Sequence, residues 1–355
     1  MGIKIFIMKK ILILRPKIGF GLGGAETHAA EVTVKLLEKG FKVGLIANEI
    51  FFPKEIQKFL EFYPVKIQGF GSVLKQLLFI FQASRILSKI KYDYLISFFR
   101  FPGADLLILC DPLFAFLIHQ KKPILWKIRP RYRILLNLEK KALFSAKKII
   151  TLFNLGKDLI NEFYPQIYKK VFVCYRGIDF KRFNPYLKEK KENLRKEFGF
   201  KKEDYLLLFV GMDIKRKGLN LLLEIVPYLP KNVKLLVAGK DGISNERVFY
   251  FGKVKEIEKF YAMADLFVLP TFYDPGAMAT LEALASGTPV ITSIYDGTSE
   301  FIKESINGYV TNLEKEDLKT KILMAMGKIF DPQICYNSIK HLTWDNYVEC
   351  LINHI

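Results

Sequence analysis

Two carboxylates with seven residues between them mark the stretch of this chain richest in chemical possibility. They are Asp274 and Glu282, set within Pro270-Thr271-Phe272-Tyr273-Asp274-Pro275-Gly276-Ala277-Met278-Ala279-Thr280-Leu281-Glu282-Ala283-Leu284-Ala285. Asp274 follows an apolar, strand-like run, and Glu282 falls inside an apolar helical one. The loop between them is built largely of small residues and includes Gly276, Ala277 and Met278, so its backbone N–H groups can face a ligand. A charge at Glu282 is costly among Leu281, Ala283, Leu284 and Ala285 unless something polar meets it, and a ribose diol is a suitable partner. The plain alternative is a strand, loop and helix carrying an incidental pair of acids.

A second cluster is cationic. Gly211 ends the run Leu206 to Gly211, and Met212-Asp213-Ile214-Lys215-Arg216-Lys217-Gly218 leads into a helix from Leu219. Three successive cations at a strand-to-helix turn are placed to hold a diphosphate, because charge-assisted hydrogen bonds stabilise the negative charge that grows on a departing phosphate. The simpler reading is a solvated basic turn. Near the amino end, Gly19-Phe20-Gly21-Leu22-Gly23-Gly24-Ala25-Glu26 precedes an amphipathic helix, whose first N–H groups and partial positive charge suit a phosphate. It departs from the dinucleotide fingerprint, since Ile46-Ala47-Asn48 stands where that motif needs an acid. His28, on the following helix, reads as a helix-face residue, and His119 as structural.

Short apolar runs alternating with amphipathic stretches must position these groups, the pattern of β-α units around parallel sheets. Strands are expected over 10–14, 42–46, 65–70, 94–98, 148–152 and 171–175, then over 205–211, 234–239, 248–251, 266–270, 289–292 and 308–310. The fold class is therefore α/β, with two Rossmann-like doubly wound domains facing each other across a cleft. Residues 1–185 form the first domain and 186–340 the second, with the polar stretch Phe183 to Glu197 between them. Residues 341–355, with Trp344, Tyr347, Leu351 and Ile355 at helical spacing, are expected to pack back on the first domain.

Composition narrows the class further. Half of the 355 residues are apolar, enough for a large core, and the net charge is +19. The whole excess lies early: residues 1–185 carry 32 Lys and Arg against 13 acids, whereas residues 186–355 carry 23 of each. One domain is thus expected to face something anionic. Lys121, Lys122, Trp126, Lys127, Arg129, Arg131 and Arg133 form a basic segment interleaved with aromatic residues, suited to an anionic membrane surface at about 1 kcal/mol per cation; the alternative is an ordinary solvated loop and helix. No apolar stretch is long enough to span a bilayer, because Arg100, Asp105 and Asp111 interrupt the longest. Cys110, Cys174, Cys335 and Cys350 are far apart with no C-x-x-C pair, and are expected to be reduced, buried thiols rather than disulfides or zinc ligands. The expected location is the cytoplasm, at the inner face of the membrane.

The paired-acid block resembles the E-x7-E signature of family 4 retaining glycosyltransferases, with Asp274 standing where the first Glu usually is. The resemblance continues through Gly23-Gly24-Ala25-Glu26 with His28, Tyr175-Arg176-Gly177-Ile178-Asp179, the Lys217-Gly218 turn, Val237-Ala238-Gly239 and Ala264-Asp265-Leu266. Within that family it is most similar to the lipopolysaccharide core glucosyltransferase I group, through Phe209-Val210-Gly211, Lys215 to Gly218, and the stretch from Phe101 to Asp111 followed by Arg131-Tyr132-Arg133. The resemblance implies a GT-B fold and transfer of a hexose from a nucleotide-sugar, UDP-glucose-like, to a glycolipid or lipopolysaccharide-core acceptor. Glu282 would hold the donor ribose, and Asp274 with the backbone of Gly276, Ala277 and Met278 the transferred sugar. Arg216 and Lys217, at the Gly211 turn, would hold the diphosphate with help from Gly23 and Gly24, and Asp111 would lie near the acceptor hydroxyl. Met212 stands where many members have an arginine. No D-x-D pair is present to hold a divalent ion, so transfer without metal or other cofactor is expected. Two rival functions are a nucleotide-sugar epimerase of the same fold and a basic nucleic-acid-binding protein; the latter leaves the paired acids without purpose, and no nucleic-acid partner is expected.

Overall fold

The computed structural model describes residues 9–67, 71–121 and 129–355. The chain divides into two compact units, one taking in the chain up to Arg176 together with Trp344–Ile355, the other Gly177–Thr343.

The strands of the first unit are β1 (Lys10–Leu14), β2 (Lys17–Gly19), β3 (Lys42–Ala47), β4 (Glu49–Phe51), β5 (Leu60–Pro64), β6 (Tyr94–Ser97), β7 (Leu106–Leu109), β8 (Lys148–Thr151) and β9 (Val171–Val173). Seven form a parallel sheet in the order β5-β3-β1-β6-β7-β8-β9, and β2 pairs with β4 alongside. Ile11 to Leu14 are completely buried, as expected for a central strand covered on both faces, and Leu14 registers with Ile46 on one side and Ser97 on the other. The strand order reverses between β1 and β6, which is where doubly wound sheets open a crevice at their carboxyl ends.

The second unit contains β10 (Tyr205–Val210), β11 (Val233–Ala238), β12 (Val248–Tyr250), β13 (Leu266–Leu269), β14 (Val290–Ser293) and β15 (Gly308–Thr311). They form a parallel sheet in the order β12-β11-β10-β13-β14-β15, with the reversal between β10 and β13. Both sheets are α/β Rossmann-like, and all six strands expected in this half are present.

The first half departs from expectation at several strands, the short β2 and β4 among them, and at one cysteine pair. The strand expected over 65–70 lies instead at Leu60–Pro64, an edge position where a terminal proline removes no needed donor; residues 68–70 lie outside the described residues. β7 was not anticipated. It arises inside the long apolar stretch because Asp105 turns the chain back, its amide donating to Leu95 O at 3.0 Å and its carboxylate accepting from Leu95 N at 2.8 Å. Cys174 and Cys350 form a disulfide, with Cα atoms 5.9 Å apart, whereas Cys110 and Cys335 are free thiols. The thiol expectation failed at this pair because the Trp344–Ile352 helix returns to the end of β9, an approach that spacing along the chain does not reveal. That helix buries Tyr347, Val348 and Leu351 and pairs Asp345 with Lys35 at 3.1 Å and Glu349 with Lys39 at 3.2 Å. Among the described residues no helix is long and apolar enough to cross a membrane.

Candidate active site

In the second unit, the chain leaves β10 at Gly211 and turns into the short Ile214–Lys217 helix, capped by Asp213, whose side chain accepts from Arg216 N at 3.2 Å. Gly218 ends that helix in the left-handed region at φ 80°, where a Cβ would lie 1.9 Å from Pro270 O. Only glycine fits such a contact, and the close approach draws the cationic turn onto the end of β13. Arg216 O in turn accepts from Phe272 N at 2.8 Å and from Thr271 Oγ1 at 2.9 Å.

The consequence is an ionic cluster centred on Asp274. Asp274 Oδ2 lies 2.8 Å from Arg216 Nη1 and 2.6 Å from Lys217 Nζ, while Gly276 N donates to Asp274 Oδ1 at 3.1 Å. Burial alone would raise the Asp274 pKa, yet the charges of Lys217 and then Arg216 hold it down at about 2. The Arg216 guanidinium also donates to Tyr273 O at 2.9 Å and to Asp213 at 3.3 Å.

Asp296 is the parallel bridge partner of Asp274. It is completely buried, accepts from the amides of Ala277 and Thr298 at 3.1 Å each, and has Thr280 Oγ1 at 2.9 Å and Thr292 Oγ1 at 2.7 Å from Oδ2. Burial and then the Asp274 charge push its carboxyl upward from the ordinary range. Glu282, in the Met278–Ala285 helix, is half-buried rather than enclosed, and accepts from the hydroxyl of buried Tyr261 at 2.8 Å.

In the first unit the strand ends carry the opposite charge pattern. Arg15, buried just after β1, donates to Phe98 O at 2.6 Å, and its Nη2 lies 2.9 Å from Glu26 Oε1 while its Nη1 lies 3.3 Å from Asp111 Oδ2. The Glu26 carboxylate folds over Gly23, where a Cβ would sit 2.4 Å from Oε2, at the start of the Gly24–Glu38 helix. Gly24 O accepts from Arg176 Nη2 at 3.1 Å. His28 is completely buried on the same helix, its Nε2 2.9 Å from the Tyr347 hydroxyl and its Nδ1 without a hydrogen-bond partner among the described residues. Burial, then Arg176 and Arg15, hold its pKa well below 6.5.

Residues 22–182 match the Glycosyltransferase Family 4 profile and residues 190–327 that of glycosyl transferases group 1. Relatives include an uncharacterized glycosyltransferase of Methanocaldococcus jannaschii, 28% identical over 59% of this chain and 60% of the relative. Another is the lipopolysaccharide glucosyltransferase WaaG of Escherichia coli, 26% identical over 61% of this chain and 63% of the relative. The matched stretches thus span about three-fifths of the length of these curated relatives. In fold, the chain is similar to the crystal structure of WaaG, a glycosyltransferase involved in lipopolysaccharide biosynthesis, with a TM-score of 0.79 at 20% identity over 96% of this chain and 95% of that one. It is also similar to Anabaena HepE in complex with UDP-glucose, with a TM-score of 0.69 at 16% identity over 98% of this chain and all of that one. The chain belongs to the family 4 glycosyltransferases and has the GT-B fold.

In this family 4 glycosyltransferase the acid and the cations, assigned separate tasks from sequence, meet in one cluster. Arg216, Lys217 and Asp274 are brought together at the end of β13, and Gly211 abuts the same turn, a Cβ there lying 3.2 Å from Lys217 Cγ. Of the loop amides expected to face a ligand, those of Gly276 and Ala277 are already donating to Asp274 and Asp296, while Met278 opens the helix. The expectation that Glu282 is an enclosed charge is corrected, since its helix face is half open and Tyr261 supplies a donor. In the other unit Asp111 pairs with Arg15 and keeps 34% of its side chain exposed, Gly23 lies against the Glu26 carboxylate that also binds Arg15, and Gly24 O accepts from Arg176. Arg15 and Asp296 went unnoticed in the sequence. Arg15 lacks a motif, although an arginine ending a buried strand is itself a signal that acids must meet it; Asp296 stands in an unremarkable turn. Arg129, Arg131 and Arg133 are exposed at the start of the Pro130–Ser145 helix. Lys122, Trp126 and Lys127 lie outside the described residues, as does the side chain of Lys121.

Proposed function

We propose that the chain moves a hexose from a UDP-glucose-like nucleotide-sugar to a hydroxyl of a membrane-associated glycolipid or lipopolysaccharide-core acceptor. The observation that carries this reading is the cluster of Arg216 and Lys217 around Asp274, next to the turn that starts the Glu282 helix. With exposed Lys215 the turn holds three cations against two acids, Asp274 and the exposed Asp213, which leaves a positive charge for a diphosphate, and Asp274 keeps Arg216 and Lys217 in place before the donor arrives. Glu282, with Tyr261 behind it, presents a carboxylate to a ribose diol. The UDP-glucose complex of HepE, which shares the fold, supports a nucleotide-sugar as the donor.

Transfer proceeds with retention and without metal, as the family resemblance and the lack of a D-x-D pair suggest. The bond from the anomeric carbon to the phosphate oxygen breaks and that to the acceptor oxygen forms on the same face. The acceptor proton passes to the departing phosphate oxygen, so no enzymic nucleophile is needed, and Asp111 orients the acceptor hydroxyl. Arg216 and Lys217 act most strongly on the charge that appears as the bond breaks, which is where stabilisation accelerates a reaction.

The acceptor side faces anionic lipid. Exposed Arg129, Arg131 and Arg133 stand beside the Ser72–Leu87 helix, which Arg131 reaches through Ser72 Oγ at 3.1 Å. That helix leaves Leu74, Leu77 and Phe81 exposed at helical spacing, an apolar stripe next to cations. A panel of nucleotide-sugars scored for slow hydrolysis and for transfer tests the donor: UDP-glucose should be turned over and Glu282→Gln should raise its KM, while a chain inert to every nucleotide-sugar contradicts the reading. Turnover should survive EDTA; loss restored by Mg2+ or Mn2+ ends the metal-free mechanism. Sedimentation with anionic but not zwitterionic vesicles is the expected membrane result, and equal binding to both, or to neither, removes that part.

A further inference from the structure

We infer that Asp296 is a positioning residue that works as a neutral carboxylic acid, clamping the Asp274–Met278 turn in the shape that receives the donor. The inference rests on the reading of the second unit as the donor site.

Arg216 and Lys217 hold the turn at its Asp274 end, and the other end depends on the segment beneath it. It leaves β13, contains Pro275 and Gly276, and must place both Asp274 and the first residue of the Met278–Ala285 helix. The Asp296 segment is laced to it from below by backbone bonds, Asp274 N donating to Tyr295 O and Gly297 N to Asp274 O, each at 2.9 Å. The side chain then grips the far end, taking Ala277 N on Oδ1 and lying 2.9 Å from Thr280 in the first turn of the helix. One buried carboxyl thereby ties four points on three elements, namely Ala277 and Thr280 on the turn and helix, Thr292 on β14, and Thr298 beside Asp296 itself.

The hydrogen bonds around Thr292 accommodate the neutral form. Thr292 Oγ1 lies 2.7 Å from Asp296 Oδ2 and 3.1 Å from Leu269 O, and its single proton cannot serve both acceptors. A proton on Oδ2 directed at Thr292 Oγ1 frees the threonine proton for Leu269 O, which also accepts from Thr271 N at 2.8 Å, so that the 2.7 and 3.1 Å contacts of Thr292 both have a donor. The charged groups facing this carboxyl agree: Asp274 is the nearby anion, and its neutralising partners Arg216 and Lys217 bind Asp274 rather than Asp296. Two acids side by side with different surroundings thus divide into one charged and one neutral.

The test uses the full chain with Asp296→Asn, Asp296→Ala and Asp296→Glu, measuring UDP-glucose and UDP binding by calorimetry, KM and kcat for UDP-glucose, and thermal unfolding. The amide of Asp296→Asn reproduces a neutral acid, accepting from Ala277 and Thr298 while donating toward Thr292. It should hold KM within about threefold of the parent and keep the melting temperature. Asp296→Ala should raise KM at least tenfold, with the larger change in KM rather than kcat. Asp296→Glu, a methylene too long for the pocket, should resemble Asp296→Ala. An Asp296→Asn variant as impaired as Asp296→Ala overturns the neutral form, and an Asp296→Ala variant with parental KM overturns the clamp. If the parent binds neither UDP nor UDP-glucose, the proposed function falls and takes this inference with it. If the parent binds and all variants match it, this inference alone fails.

Discussion

The two units answer the same architectural problem with opposite charges. At the strand ends of the first, one cation, Arg15, sits between two acids, Glu26 and Asp111; at those of the second, one acid, Asp274, sits between two cations, Arg216 and Lys217. The first cluster has a surplus negative charge; in the second Asp213 also meets Arg216, and the surplus positive charge comes from exposed Lys215 in the same turn. A diphosphate suits the second and an uncharged hydroxyl the first. The excess of basic residues in the first half therefore does not sit at its strand-end cluster, and the exposed arginines of the Pro130–Ser145 helix carry part of it instead. Net charge summed over a domain says little about the sign at its site.

The largest effect should come from removing the lone central ion of the first cluster. Arg15→Met leaves two carboxylates facing each other without their cation, and should lower the stability of the first unit by about 3–5 kcal/mol in denaturant unfolding; a loss under about 1 kcal/mol would show that the acids do not depend on it. Next comes the covalent fastening, which among the described residues only the first unit has. The Cys174–Cys350 bridge closes a loop that contains the whole second unit. Reduction should cost the first unit about 2–4 kcal/mol while leaving the transition of the second in place, and thiol labelling before and after reduction should show two additional reactive cysteines.

Removing one of the paired outer cations in the second cluster should separate function from folding. Lys217→Ala leaves Arg216 on Asp274, so unfolding should change by under about 1 kcal/mol, whereas kcat/KM for UDP-glucose should fall about 100-fold, equivalent to about 2.7 kcal/mol of transition-state stabilisation. Equal losses in stability and turnover would erase the distinction between the clusters. The smallest effect is a pH dependence confined to the first unit. His28 is held neutral in the fold and takes up a proton on unfolding, so its contribution is complete above pH 6.5 and is lost as pH falls below that value. The slope should approach about 1.4 kcal/mol per pH unit below 6.5, and His28→Gln should flatten it. A slope of the opposite sign would mean that the folded unit carries the imidazolium.

Much of this was already present in the residue order. Alternating apolar runs and amphipathic stretches made two parallel sheets legible, because strands covered on both faces must be continuously apolar whatever packs on them. The cationic turn, its closing glycine and the paired acids were legible too, since cations at a strand-to-helix turn and a charge within an apolar helix are local signals, whereas the approach of Gly218 to Pro270 O is a product of the fold. Folding alone decided which charges meet. That Asp274 binds Arg216 and Lys217, that Arg15 joins Glu26 to Asp111, that Asp296 stands against the Asp274–Met278 turn, and that Cys350 reaches Cys174 all depend on strand order and on where the last helix lands. An ion pair or a disulfide is chosen by distance in space, and residues far apart along the chain become neighbours only when the sheets assemble.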